Sequence, residues 1–188
     1  MGADRADPRL DQSDSNSVYT HFVILLYGVY TIDISLSAHT VQAPRFNPVN
    51  SPSRIFDLHY SGEAPAVVDA EVSTGQWVDE IVSHPEVFSG HGSNFRCRDV
   101  APGEASPMHR TTTLDYVIVF RGSITLELEE GEKIILNEGD TVVQRGTMHA
   151  WKNESTEWAK IYFVMTDAKP VEVGGETLQQ EFRVQRAG

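Results

Sequence analysis

Between Gly103 and Asn153 the chain repeats one pattern, a run of alternating apolar and polar residues, a glycine turn, then another run. This stretch limits the possible folds more than any other. Side chains alternate faces along a strand, so His109, Thr111, Thr113, Asp115, Val117 and Val119 share one face if the strand is unbroken. Further on, Gly139 to Asn153 reads as a strand, a bend at Gly146 and a second strand with His149 and Trp151 on one side. Two separate segments that each turn imidazoles and an acid to one face are expected to converge inside a barrel, with His109, Asp115 and His149 as the chemical group.

The same spacing continues outward. Strands are expected at Phe95 to Val100, Thr113 to Arg121, Ser123 to Glu129, Lys133 to Leu136, Thr141 to Gln144, His149 to Lys152 and Trp158 to Met165, with turns at Glu130-Gly131 and Glu138-Gly139. Ile124-Leu126-Leu128 and Ile161-Phe163-Met165 each carry an apolar face, as two packed sheets require. The fold class is therefore all-β.

Upstream the pattern weakens. Residues 1–17 are polar, charged and without periodicity, which predicts disorder. The β-branched and aromatic run Val18 to Leu36 favours an extended strand, either an added strand over a sheet edge or partner, or a stretch foreign to the mature protein. Thr40 to Arg54 has the spaced prolines of a linker, and Ile55 to Tyr60 reads as a short edge strand. Ala66 to Val72 and Gln76 to Val82 read as short strands, Ser83 to Asn94 as a loop. The division is an N-terminal extension over 1–53, a barrel over 54–168 and a tail over 169–188, with one short element expected at Glu176 to Val184.

Composition excludes several functions. With 188 residues the chain has room for one core. A net charge of −12 argues against nucleic acid and anionic membrane surfaces as partners. The longest apolar run, Phe22 to Ile32, falls short of the roughly 20 residues that cross a bilayer, and acidic residues precede it where a secretory signal needs positive charge. Cys97 stands alone, so no internal disulfide forms, and a cytoplasmic setting is expected.

These residues resemble the cupins over roughly Ser93 to Met165. The first family motif, G-x5-H-x-H-x3/4-E-x6-G, is met by Gly103, His109 and Gly122, with Thr111 at the second histidine and Asp115 at the glutamate. The second, G-x5-P-x-G-x2-H-x3-N, is met by Gly139, Gly146, His149 and Asn153, one residue shorter before the glycine and with Arg145 near the proline position. The resemblance implies a double-stranded β-helix, or jelly-roll, barrel with an N-terminal extension. It extends to small stand-alone fungal cupins, some of which accompany polyketide biosynthesis, and so implies tailoring of a small oxygenated or aromatic molecule.

In metal-binding cupins three His and one Glu hold a divalent transition metal. Here His109, Asp115 and His149 would remain as a two-histidine, one-carboxylate set for Fe, Mn, Zn or Ni. Without metal the same groups can act as general acid and base. The reaction expected first is that of a lyase or isomerase, by dehydration, decarboxylation or isomerisation. In it, His109 or His149 takes a proton beside a carbonyl while Asp115 orients an imidazole. An iron dioxygenase and a non-catalytic binder are the alternatives, and a third, structural possibility is that Thr111 and Asp115 simply satisfy each other.

Thr111, Arg145, Trp151 and Tyr116 are expected to line the substrate space. Of Arg96, Arg98 and Arg145, only Arg145 adjoins a motif, which favours it as a carboxylate grip. Asn153 is expected to tie a turn, Cys97 to pack, and Trp77 to be core or pocket lining. His91, His59 and His84 read as structural, and His21 and His39 fall outside the resemblance. A homodimer through an uncovered sheet edge completes the expectation.

Overall fold

The computed structural model describes residues 51–66 and 91–183, with the backbone of two strands before them. Those two are β1 (His21–Gly28) and β2 (Ile34–Val41), which pair antiparallel in a sheet of their own. The run expected as one extended strand is thus a hairpin across this part. The expectations for residues 1–17, for the two short strands and most of the loop in 67–90, for Trp77 and for His84 lie outside the described residues, as does most of the linker.

Two five-stranded sheets make the barrel. One runs in the order β14 (Glu181–Arg183), β5 (Met108–Arg110), β10 (His149–Lys152), β7 (Ser123–Leu128), β8 (Lys133–Asn137). The other runs β3 (Arg54–Ser61), β4 (Ser93–Val100), β11 (Ala159–Asp167), β6 (Thr113–Arg121), β9 (Thr141–Arg145). Every pairing is antiparallel, and the chain changes sheet between β4 and β5, β5 and β6, β6 and β7, β8 and β9, β9 and β10, and β10 and β11. This winding is the double-stranded β-helix. The expected strands end within two residues of the observed ones.

Alternation explains the packing. Along β6, Thr113, Asp115, Val117 and Val119 are buried while Tyr116, Ile118 and Phe120 face out. Val117 and Val119 join Ile124, Leu126, Trp151, Ile161 and Phe163 in the core between the sheets. A second, smaller cluster of Phe56, Leu58 and Cys97 packs with Phe95 and Tyr162 behind the β3–β4 wall, so Cys97 is packing as expected. At the corner between β6 and β7, Gly122 has φ 78°, and a Cβ there would meet the Trp158 carbonyl oxygen at 2.8 Å. Only glycine makes that turn without displacing backbone.

After β11 the chain forms a small hairpin, β12 (Val171–Val173) with β13 (Glu176–Leu178), before β14. The single element expected in the tail is therefore two strands. The second of them joins the barrel beside β5. Among the described residues no helix is long and apolar enough to cross a membrane.

Candidate functional site

His109 and His149 are register partners on β5 and β10, with ring centroids 4.4 Å apart. Both are buried, because the short β5 and β10 turn them toward the facing sheet. Each imidazole is fixed in the same way. Nδ1 of His109 lies 2.8 Å from the Pro107 carbonyl oxygen, and Nδ1 of His149 lies 2.9 Å from that of Thr147. A carbonyl only accepts, so each Nδ1 carries the hydrogen and each neutral ring keeps its lone pair on Nε2.

Burial holds both rings neutral. It pushes His149 down to about 4, helped by the neighbouring His109, and it lowers His109, with Arg98 adding to the effect. The acceptor for His149 is itself held in place. Gln144 donates from Nε2 to Thr147 Oγ1 at 2.6 Å, across the turn at Gly146, whose φ is 68° and whose carbonyl accepts from Arg110 Nε at 3.1 Å. Around the pair, Trp151 meets His149 edge-on at 5.7 Å, and Phe182 on β14 stacks on His109 at 5.5 Å with planes 2° apart.

Asp115 comes from the opposite sheet. It is only 4% exposed, its Oδ1 has no hydrogen-bond partner, and burial raises it to about 6 against the pull of Thr113 and Arg96. Among the described residues no hydrogen bond joins Thr111 to Asp115; the Thr111 hydroxyl oxygen accepts from Thr113 Oγ1 at 2.8 Å. Nor does Asp115 complete a ligand set. Among the described residues no three or more of His, Cys, Asp and Glu cluster closely enough to hold a metal ion. The expected set of His109, Asp115 and His149 has its two imidazoles on one sheet and its carboxylate on the other. Thr111, at the position of the family's second histidine, offers a neutral hydroxyl whose oxygen accepts from Thr113.

The unbroken face from His109 to Val119 is in fact broken at the corner between β5 and β6, yet all six side chains are buried. Passing from one sheet to its facing sheet keeps the inner side inward. Trp151 and Thr111 lie inside as expected. Tyr116 and Arg145 do not: Tyr116 is 46% exposed, Arg145 is exposed, and both lie on the outer face one residue away from the inward Asp115 and Gln144. Asn153 ties its turn, donating to the Val100 and Glu157 carbonyls at 2.9 and 2.7 Å.

Sequence reasoning did not single out Gln144 or Phe182, and it placed Arg98 behind Arg145 as a grip on substrate. Gln144 was accessible through alternation, being the only polar inward position of β9. Phe182 carried no local signal. On β4, inward Arg96 is ion-paired to Asp57 at 2.6 Å, while inward Arg98 has no partner at Nε.

A barrel of two antiparallel sheets enclosing an imidazole pair defines a small jelly-roll protein with an interior site. The Cupin domain family matches residues 98–165. Similar curated proteins include oryzines biosynthesis cluster protein J of Aspergillus oryzae, 40% identical over 125 residues, covering 65% of this chain and 70% of that protein. Phomopsin biosynthesis cluster protein D of Diaporthe leptostromiformis is 48% identical over 95 residues, half of each chain. The cupin-domain-containing oxidoreductase virC of Hypocrea virens is 38% identical over 117 residues, 61% of this chain and 59% of its own. The chain belongs to the cupin-domain proteins, among relatives from fungi. It spans between half and 70% of the length of these relatives.

Proposed function

We propose that this protein is a tailoring enzyme of small-molecule biosynthesis that moves protons on a carbonyl compound held between the two sheets, as a lyase or isomerase. The observation that carries the reading is the pair of neutral imidazoles, both buried and each locked by its Nδ1 hydrogen to a carbonyl oxygen. A ring fixed in this way presents a lone pair to a guest and cannot turn away from it. The relatives named for biosynthesis clusters support the setting.

In this scheme a histidine Nε2 takes the proton from the carbon next to the carbonyl. The electron pair either forms a C=C bond as a β-hydroxyl leaves, or returns with a proton at another carbon. Asp115, raised to about 6, is the group best matched to giving and taking that second proton near neutral pH. It stands on the wall facing the imidazoles, so acid and base address opposite sides of the guest. A homodimer through an open edge strand, β3, β8, β9 or β14, belongs to the same proposal.

Deuterium exchange into small ketones and β-hydroxy carbonyl compounds in heavy water tests it directly. His109→Ala and His149→Ala are each expected to slow exchange or elimination by about 100-fold or more. Rates equal to those of the parent protein would end this reading. A second reading, an oxidoreductase, draws support from the name of the Hypocrea virens relative. Iron content and dioxygen uptake separate the two, since full exchange activity in metal-stripped protein favours the proton-transfer scheme.

A further inference from the structure

We propose that Arg98 is the anchor for a carboxylate group on the small molecule that the barrel takes. The inference rests on the reading that the interior receives such a guest, and it names one chemical handle that the guest must carry.

Arg96 and Arg98 alternate with Cys97, which packs on the outer cluster with Phe56, so both arginines face the interior. Their surroundings then differ. Arg96 is fully engaged, with Nη2 2.6 Å and Nε 2.9 Å from Asp57 Oδ1, and Asn94 Nδ2 shares that oxygen at 3.4 Å. Arg98 is 8% exposed, its Nε has no hydrogen-bond partner, and it makes no ion pair among the described residues. The carboxylate that bears on its charge, Glu104, is instead bonded by the Ser51 hydroxyl at 2.6 Å. A buried guanidinium without a counter-ion costs several kcal/mol as an order of magnitude, and such a group is normally paired.

The surroundings choose the ligand. By register Arg98 lies beside Ile161, with Val119 on the next strand, both apolar core residues, and its field reaches His109 on the facing sheet. One cation in an apolar wall is neutralised by one negative charge. A carboxylate supplies that with two oxygens spaced for the guanidinium fork, whereas a phosphate dianion would leave a net charge buried. The guest then reaches from a guanidinium grip at Arg98 to the imidazole pair, so its reacting carbon is placed by the far end of the molecule.

The test uses the whole protein and three probes of one shape, benzoate, benzamide and phenyl phosphate, titrated by calorimetry and by the rise in Tm. Benzoate is expected to bind the parent, and the neutral amide and the phosphate ester more weakly. Arg98→Met should weaken benzoate at least about tenfold, and Arg98→Lys less than that. Because the arginine is unpaired, Arg98→Met without ligand should melt no lower than the parent. A clear fall in its Tm would overturn the proposal in favour of a structural arginine. So would benzoate binding that survives Arg98→Met, fails in the parent, or is matched by the amide or the phosphate ester. Benzoate affinity in His149→Ala separates the two readings: if exchange persists in that variant while benzoate still needs Arg98, the anchor stands and the proton-transfer scheme falls.

Discussion

The two walls of the barrel handle buried polarity in opposite ways. On the β5–β10 wall every imidazole has its Nδ1 hydrogen placed on a main-chain oxygen, and even the acceptor of one is steadied by Gln144. On the β4–β6 wall Asp115 Oδ1 and Arg98 Nε have no partner. The first wall satisfies its imidazole hydrogens from within, while the second carries buried polar atoms that no described residue satisfies. Under the proposed function, fixed imidazoles facing unsatisfied polar groups would spend stability on binding and reaction.

The contrast is broken most severely at the ion pair of Arg96 with Asp57 on the second wall. Asp57→Ala removes the carboxylate that Arg96 holds through two of its nitrogens, and denaturant unfolding should show a loss of about 3–5 kcal/mol. A loss under 1 kcal/mol would mean that pairing does not distinguish the two arginines.

Titration should set the walls against each other. His149 has a folded value of about 4 against an ordinary 6.5, so the unfolded chain binds its proton first and this contribution to stability is lost as pH falls from 6.5 toward 4. Asp115 has a folded value of about 6 against 3.8, so its contribution is present at low pH and is lost as pH rises from about 4 to 6. The two slopes oppose and largely cancel. Asp115→Asn should therefore gain on the parent as pH rises from 4 to 6, by roughly 3 kcal/mol at 1.4 kcal/mol per pKa unit. His149→Gln should gain on it as pH falls through the same window. Parallel stability curves for parent and variants would remove the electrostatic contrast.

Smaller effects probe the support of the first wall. Gly146→Ala forces a side chain into the left-handed region, with its Cβ 3.0 Å from Val171, and should cost about 1–2 kcal/mol while loosening the His149 acceptor. Phe182→Ala removes the stack over His109 and should cost about 1 kcal/mol, with the His109 NMR titration moving up as water reaches the ring. An unmoved titration would show that the ring is dry without its cover.

The legible part of the site is the part written as local pattern. Glycine turns and period-two alternation were enough for the two sheets, and motif spacing was enough to bring His109 to His149. Alternation also contained the correction for Tyr116, since the neighbour of an inward Asp115 must point out. What stayed hidden depends on register between distant strands. Asp57 meets Arg96 rather than Arg98 because of where β3 pairs with β4, at an irregularity between Asp57 and His59. No local composition marks that choice, so the motif favoured Arg145, which is exposed, over Arg96, which is paired, and Arg98, whose Nε has no partner. Motif spacing likewise names positions on strands and does not measure the gap between facing walls.

The strand at residues 181–183 that lies along β5 has an effect on the order of assembly. His109 leaves the ribosome long before the phenylalanine that stacks on it, so during synthesis the ring is bare to water while the rest of the roll can already close. A peptide tag or a nick just after β11 would reproduce that unfinished condition in the mature molecule. Such a protein would keep the shape of its barrel and have an imidazole open at the wrong side.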